Sequence, residues 1–155
     1  MKLRTTWKNQ PITATVGGKK HRFRSLFEWR WSQYLELLKL GGEIMDWQYE
    51  PPAFQFPDGS YRIDFELLYP NGRYVYHELK GHQDGRANQK LKLMAKYHPD
   101  IKIVFVRQRV PKHGREAAKL RTTAKYVERI IDAEREIFPT IRGMIQWNPP
   151  IVGEM

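Results

Sequence analysis

Cysteine is absent from the 155 residues, which excludes a disulfide framework and any thiolate metal site and fits a reducing compartment. No apolar run approaches the roughly 20 residues of a membrane span. The N-terminal Met1-Lys2-Leu3-Arg4-Thr5-Thr6-Trp7 lacks the apolar segment of a signal peptide. The expectation is a soluble, cytoplasmic protein with no membrane partner. Internal repeats and low-complexity stretches are missing too. The five histidines, His21, His77, His82, His98 and His113, show no zinc-like spacing; they read as surface, strand and loop residues, with His82 placed near the candidate site. Acids are the scarcer charge: 17 Asp and Glu against 27 Lys and Arg leave a net charge of +10.

What is present is a hydrophobic fraction of 41%, enough in a chain of this length for one domain with a real core. The charge is uneven. Residues 1–24 carry seven Lys and Arg and no acid, residues 25–80 carry five against nine, and residues 107–125 carry seven against one. Basic segments thus flank an acidic centre. That pattern favours a polyanionic partner, because Lys and Arg gain affinity by displacing counterions from phosphates.

Residues 1–20, with Pro11 and Gly17-Gly18, read as an irregular, flexible basic arm. A helix is predicted from about Leu26 to Leu40, opened by Ser25 and closed by Gly41-Gly42, with Phe27, Trp31, Tyr34, Leu35 and Leu38 in one apolar stripe. Strands are expected at Ile44–Tyr49 and Ala53–Phe56, then a hairpin of Tyr61–Tyr69 and Tyr74–Leu79 around the turn signal Pro70-Asn71-Gly72-Arg73. A second helix over about Ala87–Tyr97, a buried strand at Ile101–Val106 and a last amphipathic helix over about Arg115–Ile137 complete the chain. This α-β-β-β-α-β-α order indicates an α/β fold, a mixed sheet flanked by helices.

Side chains two apart on a strand share a face, so Glu78 and Lys80 point the same way, and the hairpin brings Asp64 alongside them. Two carboxylates and an ammonium converging on one surface can hold a hard divalent cation and position a water against a phosphodiester. Asp64 sits in Ile63-Asp64-Phe65-Glu66-Leu67, where a buried carboxylate is costly without a partner or a metal. Glu66 reads as a surface charge. Glu28 falls on the shoulder of the first helix's stripe, within reach of Asp64, yet Ser25-Leu26-Phe27-Glu28 also fits a capping box; both roles stay open on spacing alone.

Tyr61-Arg62-Ile63-Asp64-Phe65 followed by Glu78-Leu79-Lys80-Gly81 resembles the PD-(D/E)xK nuclease signature, with Ile63 where that superfamily often has proline. With Phe23-Arg24-Ser25-Leu26-Phe27-Glu28 upstream, Lys90 downstream and His98-Pro99-Asp100-Ile101-Lys102-Ile103-Val104-Phe105, the order is similar to the phage endonuclease I type of Holliday junction resolvase. The likeness spans about residues 22–106. It implies a restriction-endonuclease-like core, and the chain as a whole is expected to form a single nuclease domain over 21–140 between the arm and a C-terminal tail over 141–155. It implies that Glu28, Asp64 and Glu78, with the Leu79 carbonyl, ligate one or two Mg²⁺, for which Mn²⁺ substitutes. Lys80 would orient or activate the attacking water, and Lys90 would contact the region of the scissile phosphate.

DNA contacts are expected from Lys19, Lys20, Arg22 and Arg24 on one side and from Arg107, Arg109, Lys112 and Arg115, with Lys119 and Arg121, on the other. No small-molecule cofactor is called for. The leading expectation is a metal-dependent endonuclease acting on branched DNA, a resolvase of DNA recombination, working in a bacterial host cell if it is phage-encoded. Symmetric cleavage of a four-way junction needs two sites about a two-fold axis, hence a homodimer. Its rivals are a nuclease of the same chemistry that cuts linear or sequence-specific DNA within a larger machine, and a non-catalytic nucleic-acid-binding module. The exchange of elements between subunits that the resemblance implies depends on Phe56-Pro57-Asp58-Gly59-Ser60-Tyr61, which is short and turn-like.

Overall fold

Residues 10–81 and 85–149 are described by a computed structural model of the protein. The chain enters through an antiparallel hairpin of β1 (Ile12–Val16) and β2 (Lys19–Phe23). Gly17 and Gly18 turn it with φ of 63° and 78°, the left-handed pair that a tight two-residue hairpin requires. From Ile12 onward the irregular arm expected over 1–20 is therefore a β-ribbon. Its physical basis is the alternation in Ile12-Thr13-Ala14-Thr15-Val16, which buries Ile12, Ala14 and Val16. Residues 1–9 of that expected arm lie outside the described residues, as do 150–155 of the expected tail.

Helix α1 (Leu26–Leu40) has the predicted bounds. Ser25 caps it, its Oγ accepting the Glu28 N–H at 3.2 Å, and Gly42, at φ 79°, carries the chain away. Its stripe buries Phe27, Trp31 and Leu35, and Trp29 is buried as well, so the helix is sunk on more than one face.

Strand β3 (Asp46–Tyr49) follows, then a small hairpin of β4 (Phe54–Phe56) and β5 (Gly59–Tyr61), in which Phe56 pairs with Gly59. Phe56–Tyr61 thus closes on itself within the chain. After it come β6 (Phe65–Leu68), β7 (Tyr74–Lys80), α2 (Gly85–Tyr97), β8 (Ile103–Arg107) and α3 (Gly114–Thr123). Strand β9 (Arg129–Asp132), a π-helical turn (Ala133–Ile137) and the short α4 (Phe138–Ile141) end the described elements.

The long last helix expected over Arg115–Ile137 is corrected: it stops at Thr123. The segment Val127-Glu128-Arg129-Ile130-Ile131 is rich in β-branched residues, and Arg129–Asp132 pairs parallel to β8 as an edge strand instead.

The main sheet has the order β3-β6-β7-β8-β9. Its first pairings are antiparallel, and β7, β8 and β9 run parallel, as in the mixed sheet expected. One core lies between the sheet, α1, the β1–β2 ribbon and α4, and includes Phe23, Trp31, Phe65 and Val106. The other lies toward α2 and α3, and includes Ile63, Leu91, Met94 and Phe105. The end of the described chain is clasped onto α1: Arg30 and Arg142 stack on the Trp147 ring at 4.1 and 4.5 Å, and Arg30 Nε donates to the Trp147 carbonyl at 2.9 Å. Among the described residues no helix is long and apolar enough to cross a membrane.

Candidate active site

The antiparallel register pairs Phe65 with His77 and Glu66 with Tyr76. Carried one step further, it sets Asp64 across from Glu78, on the same face of the sheet. A backbone bond fixes that position: Asp64 Oδ2 accepts the Leu79 N–H at 2.8 Å. Glu28 arrives from the first turn of α1. The hydroxyl of Ser25 and that of Tyr49 donate to its two carboxylate oxygens at 3.1 and 2.8 Å. The two roles weighed for Glu28 thus resolve into one arrangement. Ser25 caps the helix through its own Oγ, and the Glu28 side chain is directed to the acids.

All three carboxylates are deeply buried, with exposures of 6% for Glu28, 5% for Asp64 and 3% for Glu78. Burial, then the charge of Glu78 beside it, pushes the Asp64 carboxyl well above the ordinary carboxylate range. Glu28 is raised by burial and by Asp64, against the lowering effect of Tyr49, Arg24 and Ser25. Asp64 is therefore the hub of the cluster, flanked by one acid on each side.

Two tyrosines and one arginine hold the acids in place. The Tyr61 hydroxyl, at the end of β5, donates to Glu78, and its own ionisation is driven far up by burial and by that carboxylate. Tyr49 does the same for Glu28, with the same direction of shift. Arg24 Nη2 donates to Asp64 Oδ1 at 3.0 Å, and its Nε lies 3.4 Å from Glu50 and 3.9 Å from Glu28. Burial works against the Arg24 charge, but Tyr49, Glu28 and Asp64 outweigh it and raise the guanidinium's pKa.

The acids open onto a cleft of about 520 Å³ lined by Arg24, Glu28, Asp64, Leu79, Lys80 and Gln108, among others. Glu78, beside Asp64, is not part of the lining. The donor set is wholly of hard oxygens, and the repulsion between Asp64 and its neighbours is what a divalent cation relieves, so the residues fit such an ion in kind. As they stand, Arg24 and the tyrosines occupy the carboxylate oxygens, and among the described residues no three His, Asp or Glu side chains are grouped to hold one ion.

The remaining candidates divide. Lys19, Lys20 and Arg22 are exposed along the ribbon that leads to Arg24 and the cleft. Lys90 is apart from the cleft, its Nζ donating to the Ser60 carbonyl at 2.9 Å above the Phe56 ring. Arg107, expected on a DNA path, is only 2% exposed and pairs with Glu116 at 3.4 Å, so it offers no surface to a phosphate. The cause is register: Arg107 is the inward residue that ends a wholly buried strand. Arg109 is exposed and lies 3.8 Å from Glu134, and Lys112 and Arg115 are exposed around the start of α3. Glu66 accepts the Tyr76 hydroxyl at 2.7 Å, away from the acids. His82 lies outside the described residues.

Spacing gave no sign of Tyr49, Tyr61, Glu50 or Gln108 at the site. Tyrosines in strands read as β-formers, and nothing local separates a hydroxyl aimed at a carboxylate from one in solvent.

No family model matches the chain, and no curated protein does. Among solved structures it is similar to a repair endonuclease from Pyrococcus abyssi, at 17% identity and a TM-score of 0.32. The match covers 63% of this chain and 43% of that protein, so the chain spans less than half its length. A likeness this slight carries no weight for function.

Proposed function

We propose that this protein is a divalent-metal-dependent nuclease that hydrolyses phosphodiester bonds in DNA, with branched DNA, four-way junctions above all, as its preferred substrate. The observation that carries the proposal is the buried pairing of Asp64 with Glu78, joined by Glu28 and opening beside Lys80 on a cleft at the foot of a basic ribbon.

In this reading Asp64, Glu78, Glu28 and the Leu79 carbonyl would hold Mg²⁺ or Mn²⁺ in place of the Arg24 contact to Asp64. Such an ion would supply Lewis acidity toward a water and the phosphoryl oxygens. The Lys80 ammonium, in the cleft, orients the attacking water and adds positive charge beside the phosphate. Lys19, Lys20 and Arg22, with Arg109, Lys112 and Arg115, hold the DNA backbone and make binding salt-dependent. A homodimer would present two such clefts to the opposed strands of a junction.

The test is cleavage of a four-way junction and a matched linear duplex with Mg²⁺, with Mn²⁺ and with EDTA. Cutting of the junction alone, abolished by EDTA, is the expected result; equal cutting of both sets aside the branched preference and leaves the nuclease. One observation favours a second reading, a DNA-binding module without catalysis: the carboxylate oxygens are already engaged by Arg24, Tyr49 and Tyr61. Tight binding with no cutting under either metal would select it.

A further inference from the structure

A second cleft, of about 310 Å³, shares no lining residue with the acidic one. It lies toward the start of β7, at Val75 and His77, whereas the acids lie at that strand's end. Tyr34 from α1, Tyr69 and Arg73 from the β6–β7 turn, and Arg129 from β9 complete its walls.

His77 gives the cleft its direction. The ring is 5% exposed, and its Nδ1 takes the indole N–H of Trp31 at 3.1 Å. An indole nitrogen can only donate, so Nδ1 carries the lone pair and the proton sits on Nε2. Among the described residues that Nε2–H has no hydrogen-bond partner. The ring lines the cleft, where its Nε2–H is a donor that an incoming ligand can reach.

The surroundings are rich in donors as well. The Arg129 charge reaches His77, Tyr34 and Tyr69 alike, and Arg73 stands at the same rim. Asn71 uses its Oδ1 on the Arg73 N–H at 3.0 Å, which leaves its amide hydrogens to the cleft. Of the acids nearby, Glu128 at the rim is met by Lys102 at 3.3 Å, and Glu43 acts on the two tyrosines. Two guanidiniums, a fixed imidazole N–H and two phenols around a small cavity match a phosphoryl group, whose oxygens only accept.

We infer that this cleft is a phosphate-binding site, with the His77 Nε2–H and the guanidiniums of Arg73 and Arg129 on the phosphoryl oxygens. Tyr34 and Tyr69 flank whatever the phosphate is attached to. The cavity is at the small end of the ~300–1,000 Å³ range of small-molecule sites, which suits one nucleotide unit. A free nucleotide and a nucleic-acid backbone present the same chemistry.

The test is ¹⁵N NMR of the His77 ring during titration, at constant ionic strength, with inorganic phosphate, adenosine monophosphate and a short single-stranded DNA. The expected result is a saturable shift of the Nε2–H signal, with binding weakened about tenfold or more in Arg129→Gln and retained in Asp64→Asn. A stronger response to the mononucleotide identifies a nucleotide site; a stronger response to the oligonucleotide identifies a backbone site. The inference is overturned if none of the three moves the His77 signal at millimolar concentration. It is equally overturned if Arg129→Gln binds like wild type, or if Asp64→Asn abolishes binding and so moves the phosphate to the acidic cleft. Calorimetry with the same probes and variants gives an independent reading of affinity. Because the two clefts are separate, failure here leaves the nuclease proposal intact, and an inactive wild type leaves this one intact.

Discussion

Asp64 is bonded to the backbone of the strand that carries its partners: its Oδ2 accepts the Leu79 N–H at 2.8 Å, midway between Glu78 and Lys80. That single bond fixes one acid against the residues on either side of Leu79 and spends one oxygen of a buried carboxylate. The other oxygen is met by Arg24 at 3.0 Å.

Asp64→Asn and Lys80→Ala are each expected to lower DNA cleavage by at least roughly 100-fold, the usual scale for losing a preorganised charge in a site. DNA binding, measured by gel shift without a divalent metal, should remain within a few-fold of wild type. Wild-type cleavage rates in both variants would remove these residues from the chemistry.

The same Asp64→Asn change should stabilise the protein in EDTA at neutral pH. The Asp64 pKa is raised in the fold, so its favourable contribution is present at low pH and lost as pH rises through the folded value. At neutral pH the fold bears the cost of this raised pKa, either as a buried charge or as a proton taken up, and asparagine carries neither. A higher midpoint in thermal unfolding for Asp64→Asn is the expected outcome, with the difference shrinking as pH is lowered toward 4.

Divalent metal should reverse that order. Mg²⁺ or Mn²⁺ at about 100 times its dissociation constant stabilises a native state by about 2.7 kcal/mol. A rise of several degrees in the melting temperature of wild type, reversed by EDTA and absent in Asp64→Asn, is expected by differential scanning fluorimetry. No rise at any metal concentration would count against an ion at this site.

Arg24 sits where an incoming cation must approach Asp64, and its side chain is 64% exposed. Asp64 is buried but its partner is solvated, and an ion pair screened in this way on one side is worth about 1 kcal/mol. Arg24→Gln should therefore bind Mn²⁺ up to about five-fold more tightly in calorimetric titration while binding DNA less well. Unchanged metal affinity would mean that Arg24 does not compete for the acids.

His77, bonded to Trp31 of α1, makes a further prediction. Burial, and next the charge of Arg129, lower its pKa to about 3 from the ordinary 6.5. The unfolded chain therefore binds the extra proton between these values, and stability falls as pH drops below about 6.5. The slope from this group approaches about 1.4 kcal/mol per pH unit. Chemical denaturation of wild type and His77→Gln from pH 7 to 4.5 should show the wild type losing more; parallel profiles would refute the buried neutral ring.

Much of the frame was readable from sequence where local and tertiary demands coincide. Ser25, the apolar spacing and Gly41-Gly42 delimit α1 because cap, stripe and stop agree. Asp64, Glu78 and Lys80 were placed together because strand alternation and a turn signal suffice to set a register. The segment after Thr123 reads as helix from sequence because Val127 and Ile131 continue the stripe of Leu120 and Ala124, and only the open edge of β8 makes it a strand. Tyr49 and Tyr61 come from β3 and from the β4–β5 hairpin, and their hydroxyls meet the acids only after the sheet and hairpin have assembled.

The clasp of Trp147 between Arg30 and Arg142 has a practical bearing on any shortened version of this protein. Arg30 is two residues from Glu28 on the same helix, so the far end of the described chain braces the element that delivers one of the acids. Trimming before Ile145 would strip an aromatic cover from the Phe138 ring and release α1 at the end that carries Glu28. A loss of function in such a truncation would reflect a loosened helix rather than a missing reactive group.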